Sequence, residues 1–124
     1  THKNKTYLFD FEYFGWDDPV KLVSDFIWHP QNKLSYIQKK MWIDEMTTIF
    51  SNDPSFKKRF NQQFIFYGIR WILIILNIFH PNKFYIKKLM YKNNKTYNKI
   101  KDRQFKLANK YMLMLNYSNK YLTL

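Results

Sequence analysis

Four carboxylates stand close together in YLFDFEYFGWDDP, residues 7–19: Asp10, Glu12, Asp17 and Asp18. The chain around them is strongly basic, with a formal net charge of +12. A carboxylate in apolar surroundings is costly unless a cation or hydrogen-bond donors meet it. Two chemistries suit such a cluster: helix capping at a turn, or the holding of a metal ion. Asp18 precedes Pro19. That pair is a helix start, with the carboxylate as N-cap and Pro at the first position, where no N–H is needed. Asp17 is either solvated or adds favourable negative charge at the same helix end. Asp10 has no such structural task. It lies between Phe9 and Phe11 near the end of TYLFDF, residues 6–11, an aromatic run that reads as a strand. Asp is disfavoured within strands. A carboxylate at a strand end suits Mg2+, which takes one or two carboxylates alongside substrate phosphates. Glu12 projects to the same side as Asp10 if the strand persists, by the period of two. The plainer alternative makes Asp10 a turn residue, and spacing leaves both open.

The elements that position these residues are readable in outline. HKNK, residues 2–5, is a polar turn, so residues 1–14 are expected to form a short N-terminal β-hairpin. Helical spacing of Val20, Val23 and Ile27 predicts a first helix ending near His29-Pro30. Ser35 caps a second, over 36–50. SNDPSF, residues 51–56, repeats the first device, with Asp53 as cap and Pro54 at the first helical position. A long helical region follows over 54–79, where Gly68 either bends the helix or allows close packing. His80-Pro81-Asn82 ends it, and residues 83–95 are a Lys- and Asn-rich, partly helical connector. A last helix is expected over 96–121, with Ile100, Leu107, Met114 and Tyr121 in one line and Asp102 paired with Lys106 on the outer face. The fold expected is mostly α with a short N-terminal β-hairpin, in a single domain whose residues 18–122 form a helical subdomain.

Composition excludes several classes. Hydrophobic residues make up 46% of the 124 residues and aromatics 21%, too apolar for a disordered chain. The sequence contains 0 Cys, which excludes disulfide and thiolate chemistry and accords with a cytoplasmic location. Only 2 Gly are present, so no Gly-rich phosphate loop lies within these residues. The histidines His2, His29 and His80 stand at no metal-ligand spacing, and the two that precede Pro suit helix ends. The basic excess, carried mostly by Lys, reads as a solvated surface rather than a nucleic-acid face, since recognition surfaces favour the Arg fork. FIFYGIRWILIILNIF, residues 64–79, is interrupted by Arg70 and reads as a buried helix rather than a membrane span. Arg70 then needs a carboxylate or carbonyl partner in the fold.

FDFEYFGWDDPVKLVSDF, residues 9–26, resembles the segment of aminoglycoside phosphotransferase and choline kinase-like enzymes that carries their second essential Asp. An apolar strand leads to Asp-Phe-Glu, then a turn with Gly, then Asp-Pro and a helix; Asp10, Phe11, Glu12, Gly15, Asp18 and Pro19 fit. YGIRWILIILNIF, residues 67–79, also looks like a helix found in some such proteins. The resemblance implies the C-terminal helical lobe of a protein-kinase-like α+β fold that transfers a phosphoryl group from ATP, or another nucleoside triphosphate, to a small-molecule hydroxyl. Asp10 would be the Mg2+ ligand and Glu12 would support the site or touch substrate. The family's general base and nucleotide-phosphate loop precede this strand, so the chain is expected to be part of a longer enzyme and inactive alone. No nucleic-acid partner and no membrane span are expected. The rival readings are a small basic helical binding protein, for nucleic acid or a protein partner, and a membrane-associated helix around 64–79.

Overall fold

Asp18 opens the first helix as its chemistry requires. Helix α1 spans Pro19–Trp28, and the Asp18 carboxylate accepts the N–H of Val20 at 2.9 Å. Pro30 disfavours helical backbone at His29, which adopts φ −63°, ψ 125° and stops the helix. Val20, Val23, Ser24, Ile27 and Trp28 are buried, which is one helical face. The computed structural model describes residues 15–81 and 94–118. These are mostly helical, and no strand occurs among the described residues. The hairpin expected over 1–14 lies outside them.

Helix α2 spans Tyr36–Ile49 and begins where Ser35 was expected to cap it. Ser35 Oγ accepts the Gln38 N–H at 3.3 Å, and Gln38 Oε1 accepts the Ser35 N–H at 2.8 Å. This reciprocal capping box satisfies two donors that the first turn leaves without helical partners. Helix α3 spans Phe56–Leu76 and tightens into a 3-10 turn at Asn77–Phe79. Its start corrects the sequence expectation. Asp53 is not the N-cap and Pro54 is not the first helical residue. The Asp53 carboxylate instead accepts the Ser55 N–H at 3.0 Å and the Ser55 hydroxyl at 2.8 Å, building a turn ahead of the helix. Helix α4 spans Asn94–Asn116, somewhat earlier at both ends than the periodicity suggested.

Helix α3 lies at the centre, with α1 and α4 packed on it and α2 flanking α1. Phe56, Phe60, Phe64, Gly68, Ile72 and Ile75 form its buried stripe. The Phe rings descend the helix, with centroids 6.3 Å apart for Phe56–Phe60 and 5.0 Å for Phe60–Phe64. Helix α2 is held mainly by aromatic contacts. The Phe26 and Trp42 rings lie 4.2 Å apart, and the Trp42 indole N–H donates to the Val23 carbonyl at 3.2 Å. The opposite face of α3 is also apolar, with Phe66, Ile69 and Leu73 exposed. The helical stretch Phe56–Phe79 is therefore long and apolar enough to cross a membrane by length and composition, its most apolar 18-residue window having a mean hydropathy of 1.4. The buried-helix expectation holds for one face of α3 and not for the other.

Trp28 joins three helices. Its ring is 1% exposed and lies 5.2 Å from Phe64 on α3 and 6.1 Å from Tyr111 on α4. Its indole N–H donates to the Phe64 carbonyl at 3.0 Å, so the polar atom of a buried ring is satisfied. The ring rests against Gly68. A Cβ at that position would fall 2.8 Å from two Trp28 ring carbons and 2.7 Å from Leu115 Cδ2. Close packing is thus what Gly68 provides. Ala gains up to about 1 kcal/mol in helix propensity over Gly, while overpacking of a full core costs about 1–3 kcal/mol. Gly68→Ala is expected to lower the urea midpoint with the m-value unchanged, and Gly68→Val to lower it further. A midpoint raised by Gly68→Ala would show that Trp28 and Leu115 move aside freely.

Candidate functional site

The acidic cluster that the sequence singled out divides at Gly15. Asp10 and Glu12, the expected metal ligand and its neighbour, lie outside the described residues. Asp17, Asp18 and, one face along α1, Asp25 lie within them. They line a cavity of about 620 Å3 on the outer side of α1, closed by Leu22, Phe26 and Phe50.

Each of these three carboxylates has protein donors. Asp17 accepts the Asp18 N–H at 2.8 Å and pairs with Lys21 one turn on; the Lys21 ammonium, more than the backbone donor, holds its pKa below the usual carboxylate range. Asp18 meets Arg59 from α3 in a two-point contact, Nε to Oδ2 at 2.9 Å and Nη2 to Oδ1 at 3.1 Å. Arg59 lowers the Asp18 pKa against the opposing effect of burial. The same guanidinium reaches Asp53, Nη2 to Oδ2 at 2.7 Å and Nη1 to Oδ1 at 3.2 Å, and also donates to Ser55 Oγ. Asp53 is held well below the ordinary carboxylate range, by Arg59 first and Ser55 second. One arginine therefore clamps together the two Asp-Pro turns that precede α1 and α3. The planar fork is what makes this possible, since a Lys ammonium cannot present paired donors to two carboxylates.

Asp25 is the acid that sequence reasoning left without a role. Its carboxylate accepts the Trp71 indole N–H at 2.8 Å and Arg70 Nη2 at 3.1 Å. This supplies the carboxylate partner that Arg70 was expected to need. His29 stacks edge-on against Trp71, with centroids 4.7 Å apart, and its Nδ1 accepts the Gln31 N–H at 3.2 Å. The ring thus accepts a turn N–H beyond the helix, whereas its position before Pro30 suggested that it would meet the last helical carbonyls. Together these acids set a negative field around Tyr67, whose phenol pKa is raised by burial first and then by Asp18, Asp17 and Asp25.

Among the described residues no group of three His, Cys, Asp or Glu side chains could hold a metal ion. The carboxylates of the Asp17–Asp25 face are thus positioned and matched by cations of the fold. The missed signal lay in arginine usage. Only Arg59, Arg70 and Arg103 occur among 21 cationic residues, and the first two tie α3 to α1. No family model, curated protein or solved structure matches this chain.

The Arg59 clamp gives stability a pH dependence of known sign. The folded-state pKa values of Asp18 and Asp53 lie below the unfolded ones. Their contribution is complete above the unfolded value of about 3.9 and is lost as pH falls through the folded values. Arg59→Gln is expected to lower the Tm at pH 7 and to shrink the difference in Tm between pH 7 and pH 3. Asp18→Asn keeps the capping oxygen and loses only the charge, so it should fall less than Asp18→Ala, whose lost cap alone costs about 1 kcal/mol. Equal Tm values for wild type and Arg59→Gln at both pH values would remove the clamp from the fold.

Proposed function

We propose that the chain is the metal-binding strand and substrate-side helical lobe of a protein-kinase-like phosphotransferase. It transfers a phosphoryl group from Mg2+-bound ATP, or another nucleoside triphosphate, to a hydroxyl of a small molecule. One observation carries most of this reading. The residues after Asp10-Phe11-Glu12 follow the order that the resemblance implies: the Gly15 turn, the Asp18 cap, Pro19 at the first helical position, then α1 packed on the central helix α3. The Arg59 clamp supports it further, because it fixes the point where that stretch enters the helical body.

In this reading Asp10 would hold Mg2+, which would supply charge stabilisation for the transferred phosphoryl group. Glu12 orders the site or contacts the acceptor. Asp18 is a positioning residue, tying the start of α1 to α3. The general base and the nucleotide-phosphate loop belong to the preceding part of the enzyme, so residues 1–124 alone do not turn over. The protein works in the cytoplasm, where nucleoside triphosphates are abundant.

The test begins with the coding sequence ahead of Thr1. An Asp followed five residues later by Asn, about 15–20 residues before Asp10, is the expected catalytic loop. In the full-length protein, Asp10→Asn should reduce Mg2+-ATP-dependent phosphorylation of its acceptor by about three orders of magnitude or more, with the helical circular dichroism unchanged. Unrelated sequence upstream, or unchanged turnover of Asp10→Asn, overturns the reading.

A further inference from the structure

A second cavity has the opposite electrostatic character. It lies between α3 and α4, beside His29 at the end of α1, and encloses about 770 Å3. That volume falls in the range of small-molecule sites. Its floor is apolar: Ile75 and Ile78 are buried, and Ile74 and Leu107 extend it. Its rim carries Arg103, Lys106 and Lys110 from α4, at positions i, i+3 and i+7, which share one helix face.

Among the described residues no acid lines this groove. The Asp102–Lys106 pair expected on the outer face of α4 is not formed, and Lys106 faces the groove instead. Among the described residues none of the three rim cations makes an ion pair. The other two arginines are committed to carboxylates, so the arrangement on α4 is not a general property of the surface. The positive field extends inward. Burial, and then the charge of Lys110, push the pKa of the buried Lys39 ammonium down.

An apolar trough with cations along one edge and no internal counter-charge is complementary to an anion that brings an apolar body. We propose that the α3–α4 groove binds a small amphipathic acid, with its anionic headgroup on Arg103, Lys106 and Lys110 and its apolar part along Ile74, Ile75 and Ile78. The proposal does not depend on the phosphotransferase reading. Nucleic acid is the poorer occupant, because a phosphodiester backbone makes no use of an isoleucine floor. The same headgroup chemistry can come from a free acid or from an anionic lipid.

Isothermal titration of residues 1–124 with decanoate, decanol and decyltrimethylammonium, each below its micellar concentration, tests the groove. Decanoate is expected to bind about tenfold or more tighter than decanol, and the cation not at all. Lys106→Gln/Lys110→Gln should weaken decanoate about tenfold, and Ile74→Gln should also weaken it. Lys57→Gln/Lys58→Gln, on the exposed first turn of α3, should change it by less than about twofold. Thermal melts establish that each variant is folded. If decanoate binds, added binding to phosphatidylglycerol vesicles identifies the lipid source, and its absence identifies the free acid; either supports the site. Equal binding of decanoate and decanol, equal losses in both double variants, or binding of vesicles or a short oligonucleotide without decanoate overturns it.

Discussion

The helical body depends on the contact between the Trp28 ring and the backbone of α3 at Gly68. The indole is large and almost fully buried, so it can be accommodated only where the opposing helix has no side chain. Burying such a ring removes 150–250 Å2 from water, roughly the largest contribution one side chain can make. Its single polar atom is satisfied by the Phe64 carbonyl one turn earlier, so little of that gain is offset. The same spot receives Leu115 and, across the ring, Tyr111 from α4. Three helices are thereby fixed by one side chain, and the apolar stripes of α1 and α3 follow from that alignment. Helix α2, which takes no part in it, is attached through Phe26, Trp42 and Phe50 at the edge.

Charge is distributed in this fold by partner rather than by sign. The acids near α1 are matched with Lys21, Arg59 and Arg70, and their ion pairs connect elements far apart in sequence. Partly exposed pairs of this kind contribute modestly to stability. Their value here is geometric, because Arg59 sets how two turns meet and Arg70 with Trp71 sets the face that α1 presents to α3. The groove-rim cations Arg103, Lys106 and Lys110 of α4 have the contrary arrangement and remain available to something outside the fold. A charge-matched acidic end and an unmatched basic groove therefore coexist in a chain whose net charge alone suggests one basic surface.

Sequence patterns disclosed the helices more completely than the contacts between them. Asp18-Pro19 and Ser35 are local signals, sufficient to place the starts of α1 and α2. Asp53-Pro54 carries the same local signal and gives a different result, since Ser55 and Arg59 compete for the Asp53 carboxylate and draw it away from the helix end. The need of Arg70 for a counter-charge was legible, but its identity was not, because Asp25 lies 45 residues away. Gly68 admitted two roles until the position of Trp28 decided between them. The rim of α4 was hidden for another reason. Lys positions in the sequence do not show which cations are paired, and only the placement of carboxylates in space separates matched cations from unmatched ones. Asp10 and Glu12 stand on their sequence pattern, and their place in the site is the proposal made above.

The outward stripe of α3 has a consequence for the protein as a colloid. Phe66 and Leu73 are 68% and 64% exposed, and a face of that kind attracts its own copies. A formal charge of +12 on 124 residues opposes their approach. That repulsion reaches about 10 Å at 0.1 M ionic strength and shortens as salt is added. Mutual repulsion by lysines, rather than a polar coat over the apolar helix, is thus what opposes association through this face.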